Sequence, residues 1–140
     1  MYYNTPKGRY TVDKLMLTMP VVGNLCTNIT VSKFFQAMLL NIRNGMRIQE
    51  SLEVSKNVTT NYYFLSAVEA GKVNSLSGGN WIEPFEEKGL FKPMVSEMVS
   101  IGMKTDLAEM MEKVNEYLKM EIDESLERLS LIHISEPTRP

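Results

Sequence analysis

Residues 106–128 read DLAEMMEKVNEYLKMEIDESLER, and this stretch decides the fold class. Leu107, Met110, Met111, Val114, Tyr117, Leu118, Ile122 and Leu126 recur at steps of three and four. That spacing makes one apolar stripe along about five turns of helix. Glu112, Lys113, Glu116, Lys119, Glu124 and Arg128 occupy the opposite face. Asp106 stands where an N-cap belongs, and Glu109 three residues on completes a capping-box-like pair. A long amphipathic helix of this kind needs other helices to cover its stripe.

The preceding chain supplies them. Pro93 opens a helix to about Gly102 with Val95, Met98 and Val99 on one face. Gly102 falls on that same face, where a missing side chain admits a close helix approach. Trp81 to Lys88 forms a short helix ended by Gly89, and Pro84 fits only in its first turn. Ser77-Gly78-Gly79-Asn80 is a loop. Asn61 to about Leu76 forms a helix with Tyr62, Phe64, Leu65 and Val68, capped by Thr60 or Asn61 and weakened by Gly71. Arg47 to Lys56 carries Ile48, Leu52 and Val54 inward.

Thr30 to Asn44 is a strong helix with Val31, Phe34, Phe35, Met38, Leu39 and Ile42 on one face, and Gly45 is its stop signal. A start as early as Val22 is the alternative reading, against which Cys26 to Thr30 is weak helix sequence. Thr11 to Leu17 forms a short helix presenting Val12, Leu15 and Met16, after a polar lead-in containing Pro6 and Gly8. No convincing alternating strand and no repeat of 33–45 residues occurs. The expected fold is all-α: an antiparallel helix bundle with a long C-terminal helix. Residues 1–19 are read as lead-in and short helix, and residues 20–128 as the domain.

Residues 129–140, LSLIHISEPTRP, break the pattern. The string resembles the translation of a transposase adapter used in preparing sequencing libraries, and is read as a non-native tail. The competing reading is a genuine disordered tail, and the underlying codons decide between them. The single histidine, His133, lies inside this stretch.

Composition narrows the function. The chain has 140 residues, a net charge of −2, 44% apolar residues and eleven methionines. Methionine suits helical cores and adaptable interfaces. The overall balance offers no basic stripe for nucleic acid. One cysteine, Cys26, excludes an internal disulfide framework and reads as a small core residue. No apolar run approaches the 18–20 residues of a membrane helix, and the first residues lack a signal peptide's apolar region. No zinc-ligand spacing, phosphate loop or nucleophile–base pair is present, so no catalytic residue, metal or cofactor is assigned.

Glu121, Asp123, Glu124 and Glu127 offer ligands for a divalent cation at a subunit contact, but such a group is more commonly a solvated helix face. Trp81 and the Tyr62-Tyr63-Phe64 cluster are candidate interface aromatics, against the plainer alternative that they are core. Two sequons, at Asn28 and Asn57, have no role in a bacterial cytoplasmic setting.

The ordered motifs are similar to one family. Phe34-Phe35-Gln36-Ala37-Met38-Leu39-Leu40, then Gly45, then the short helix through Leu52, resembles its first signature. Leu90-Phe91-Lys92-Pro93, leading to Met98 and Gly102, resembles its most distinctive stretch. Glu109-Met110-Met111 and Glu121-Ile122-Asp123 match further on. The family is the type II secretion F domain of inner-membrane platform proteins in type II secretion and type IV pilus machines. The chain departs from it at Met103 to Asp106, where a family glutamate is missing, and at Ile82 to Phe85.

The resemblance implies a compact bundle of about six helices, a non-catalytic scaffold domain often paired with another copy. It implies contact with the cytoplasmic assembly ATPase and with other platform subunits. It also implies a membrane-embedded parent, with this segment as its second domain on the cytoplasmic face. The alternative is a free-standing helical adaptor, and an upstream frame coding for membrane helices distinguishes the two.

Overall fold

The computed structural model describes residues 6–19 and 22–134, with side chains as far as Ser130. It contains seven α-helices among these residues: α1 (Pro6–Thr18), α2 (Val22–Arg43), α3 (Ile48–Ser55), α4 (Tyr62–Leu76), α5 (Glu83–Glu87), α6 (Pro93–Lys104) and α7 (Leu107–Ile134). A 3₁₀ turn, Lys56–Val58, follows α3. No strand is present among the described residues. The all-α expectation holds, with one helix more than the six or so expected.

The helix ends follow local chemistry. Gly45 has φ +86°. The Met46 amide donates to the Asn41 carbonyl at 3.0 Å, which closes α2 with a Schellman turn. Gly89, φ +72°, closes α5 in the same way, with the Leu90 amide on the Phe85 carbonyl at 2.9 Å. The Asn61 side chain accepts from the Phe64 amide at 3.0 Å and caps α4. Asp106 Oδ1 accepts from the Glu109 amide at 3.2 Å, the cap expected for α7. α7 runs past the end expected near Leu129 to Ile134, because no helix breaker stands before Pro137.

α7 packs mainly on α2 and α6. It runs antiparallel to α2: Arg43 at the end of α2 pairs with Glu112 near the start of α7 at 3.1 Å. Ser32 and Gln36 lie across a groove from Asn115, Lys119 and Ile122. α1 packs on α2 and α4, and α3 on α2 and α4.

The core centres on aromatic rings. Phe34, Phe64 and Phe85 form a triangle with centroids 5.2–5.6 Å apart, and Phe85 stacks on Phe91 at 4.4 Å. Trp81 stands edge-on to Phe85 and Phe91, at 6.1 and 6.3 Å. Val31, Met38, Leu52, Val68, Val95, Val99, Met111, Val114 and Leu118 complete the core. Cys26, partly buried, packs against it, as expected for a small core residue.

Several expected inward positions face out. Leu15 and Met16 of α1 are exposed; its buried residues are Gly8, Asp13 and Leu17. Val54 is exposed because α3 is short and only Ser51, Leu52 and Ser55 are buried there. Leu126 is half exposed, whereas Ser125 beside it is buried.

Candidate interaction surface

Most of the family-motif residues build the scaffold rather than a surface. Phe34, Leu52, Leu90 and Phe91 are core. Gly45 makes a turn, and Pro93 starts α6. Met98 packs against the core. Gly102 is buried against Met110: a Cβ built there would lie 2.7 Å from Met110 Cβ. Glu109 is exposed and faces Lys113 at 3.8 Å.

The interface candidates divide. Trp81 is 1% exposed, and Tyr63 and Phe64 are buried as well, so their place is in the core and not on a contact surface. The Trp81 indole N–H has no acceptor among the described residues, so the ring is held by packing. Tyr62 is half-buried at a surface groove, with the Arg9 guanidinium 4.3 Å over its ring and Arg9 donating to its hydroxyl at 3.1 Å. That groove, about 760 Å³, lies between α1 and α4 and is lined by Pro6, Arg9, Lys56, Tyr62, Leu65 and Glu69. Stacked Arg and Tyr side chains are frequent anchors of protein contacts.

On α7, Asp123 and Glu124 are exposed and Glu121 sits 3.9 Å from Lys92. Burial raises the Tyr117 phenol, and nearby Glu121 and Glu124 push it the same way. No group of three or more His, Cys, Asp or Glu side chains converges on a metal position among the described residues.

Sequence reading missed the residues that tie α1 to α4. The Asp13 carboxylate is 3% exposed and accepts from the Tyr62 amide at 2.6 Å, while the Asp13 carbonyl accepts from Asn61 Nδ2 at 3.2 Å. A carboxylate at a helix N-terminus meets free N–H groups and the positive end of the dipole. Asp13 could have been noticed as the lone carboxylate among residues 1–49. Asp13→Ala is expected to lower stability by about 1–2 kcal/mol, read by urea titration, through loss of this cap.

Lys88 forms a second tie: its ammonium donates to the Tyr10 hydroxyl at 3.0 Å and lies 4.9 Å from the Tyr63 ring centre. The Tyr63 hydroxyl donates to the Lys88 carbonyl at 2.9 Å, and burial raises the Tyr63 phenol.

An ionic strap joins α3 to α4. Lys72 donates to Glu53 at 2.9 Å, and Lys56 bridges Glu53 and Glu69. The hydrogen bond from Lys72, then that from Lys56, holds the Glu53 carboxyl below the ordinary glutamate value. Glu69 chiefly raises Lys56. A lowered carboxylate contributes stability above its ordinary pKa, and the contribution fades as pH falls through the folded value. A raised lysine contributes below its ordinary pKa and fades as pH rises past it. The melting-temperature gap between wild type and Glu53→Gln is therefore expected at neutral pH and should close as pH falls through the lowered Glu53 value. A gap persisting in acid would show that Glu53 acts by packing.

The molecule is an all-helical bundle clasped through Asp13, Lys88 and the Glu53 strap. The comparisons make the class specific. Residues 34–132 match the family described as type II secretion system (T2SS), protein F, and the chain belongs to that family of secretion and pilus platform proteins.

It is 35% identical over 131 residues to the type IV pilus assembly protein PilC of Thermus thermophilus, covering 92% of this chain and 32% of that protein. It is 27% identical over 129 residues to PilC of Myxococcus xanthus, covering 91% and 31%. The type II secretion system protein F of Vibrio cholerae is 24% identical over 97 residues, covering 69% and 24%. The chain spans about a third of the length of the curated relatives it matches. No solved structure matches it. Among the described residues no single helix is long and apolar enough to cross a membrane.

Proposed function

We propose that this chain is a non-catalytic scaffold domain of an inner-membrane platform protein, presented on the cytoplasmic face. In this role it contacts the assembly ATPase, other platform subunits and a second copy of itself. The observation that carries the reading is the likeness to pilus assembly proteins across nine-tenths of the chain. Neither the family nor these relatives bears the name of an enzyme. The α1–α4 groove, with Arg9 stacked on Tyr62, supports it as a contact surface.

The test is co-elution of this chain with the assembly ATPase of the same bacterium. Complex formation weakened by Tyr62→Ser, with the melting curve retained, supports the reading. Absence of any complex with the ATPase and with a second copy would overturn it.

A further inference from the structure

Charge is divided sharply along the chain. Residues 1–49 hold Lys7, Arg9, Lys14, Lys33, Arg43 and Arg47 against one carboxylate, Asp13. Residues 50–140 hold sixteen acidic residues against nine cations. Asp13 is buried and committed to the start of α4, so α1 shows no carboxylate to solvent.

The same helix leaves its apolar side chains outside. Leu15 is 62% exposed, Met16 50%, Met19 46% and Val22, at the start of α2, 48%. Thr11 and Thr18 stand on the same face as Leu15 by helical spacing. Their hydroxyls bond back to the carbonyls of Lys7 and Lys14, at 3.0 and 2.9 Å. Hydroxyls satisfied within the helix leave that face with little demand for water. Lys7 and Lys14, seven residues apart, flank it on one side, the exposed Lys14 with its ammonium 5.8 Å from the Tyr63 ring centre.

We propose that α1, with Met19 and Val22 beyond its end, rests on an anionic lipid surface. Leu15, Met16, Met19 and Val22 enter the headgroup layer, and Lys7 and Lys14 meet its phosphates. An apolar helix face edged by lysine and free of exposed carboxylates is the composition of interfacial helices. Basic residues next to the apolar contact add attraction to anionic headgroups. An antiparallel second copy docked on this face would set lysine against lysine.

The inference rests on the platform reading only for which membrane is met. The test is co-sedimentation of the whole chain, without ATPase, on phosphatidylglycerol–phosphatidylethanolamine vesicles and on phosphatidylcholine vesicles. Binding to the anionic vesicles that weakens with salt is expected. The triple variant Leu15→Gln, Met16→Gln, Met19→Gln should bind roughly tenfold or more weakly. The pair Lys7→Gln, Lys14→Gln should bind about tenfold more weakly to anionic vesicles.

Val73→Gln with Leu76→Gln, exposed apolar positions of α4, should bind as wild type, and all three variants should keep the wild-type melt. Equal binding to both vesicle types, or equal binding by the variants, would overturn the proposal. So would loss of a lipid-free dimer in the triple variant, which makes the face an interface between copies. Failed vesicle binding with retained ATPase co-elution would sink the lipid face alone.

Discussion

Phe85→Ala is expected to lower stability by about 3–5 kcal/mol, the largest effect of any single substitution considered. Phe85 is fully buried and touches four other rings: Phe34 at 5.6 Å, Phe64 at 5.5 Å, Trp81 at 6.1 Å and Phe91 at 4.4 Å. These rings come from α2, α4, the loop before α5, α5 itself and the loop before α6. Truncation leaves a void where several elements meet, and tightly packed neighbours close such a void only partly. Domains of this size have about 5–15 kcal/mol in total, so the variant should sit near the edge of folding. Urea titration of wild type and variant measures the difference. A loss under 1 kcal/mol would mean that the ring cluster is not the organising centre.

Gly71→Ala is expected to destabilise, against the ordinary rule for a helix interior. Alanine in place of glycine usually gains about 1 kcal/mol within a helix. Gly71 lies in the middle of α4, and a Cβ built there falls 2.7 Å from the Trp81 carbonyl oxygen. That atom is backbone and cannot rotate away, so either α4 or the chain ahead of α5 must shift. Overpacking of this kind costs about 1–3 kcal/mol. Thermal and urea unfolding of Gly71→Ala check the sign, and a more stable variant would show that α4 and α5 have room to separate. Gly102 poses the same question against Met110 Cβ at the α6–α7 crossing.

Much of the architecture was legible before any coordinates. The stripes of α2 and α7 follow helical spacing, and their principal residues, from Val31 and Phe34 to Val114 and Leu118, are buried as expected. Gly45, Asn61, Gly89, Pro93 and Asp106 mark helix ends because each obeys backbone or capping chemistry confined to a few neighbours. Gly102 was read correctly as a close approach, since its place on an apolar face is a local fact.

The misreadings share a cause. In α1 the spacing of Val12, Leu15 and Met16 gave no way to tell an apolar face turned to the core from one turned outward. Trp81 and Tyr62 were equal candidates for a surface until the helices were placed, and then one was sealed between Phe85 and Phe91 while the other kept an edge at a groove. The sites that clasp the bundle are non-local: Asp13 meets Tyr62, and Lys88 meets Tyr10.

By itself the sequence determined that this protein is helical, where most helices stop, and which family it resembles, because periodicity, capping and motif order are written in near neighbours. Only the tertiary structure decided that Gly71 is a contact and not a weakness. It also decided that Asp13 is a cap, and that the carboxylate-free apolar face of α1 looks outward. Each depends on which distant segment lies opposite, and that partner is set by the packing of the whole chain.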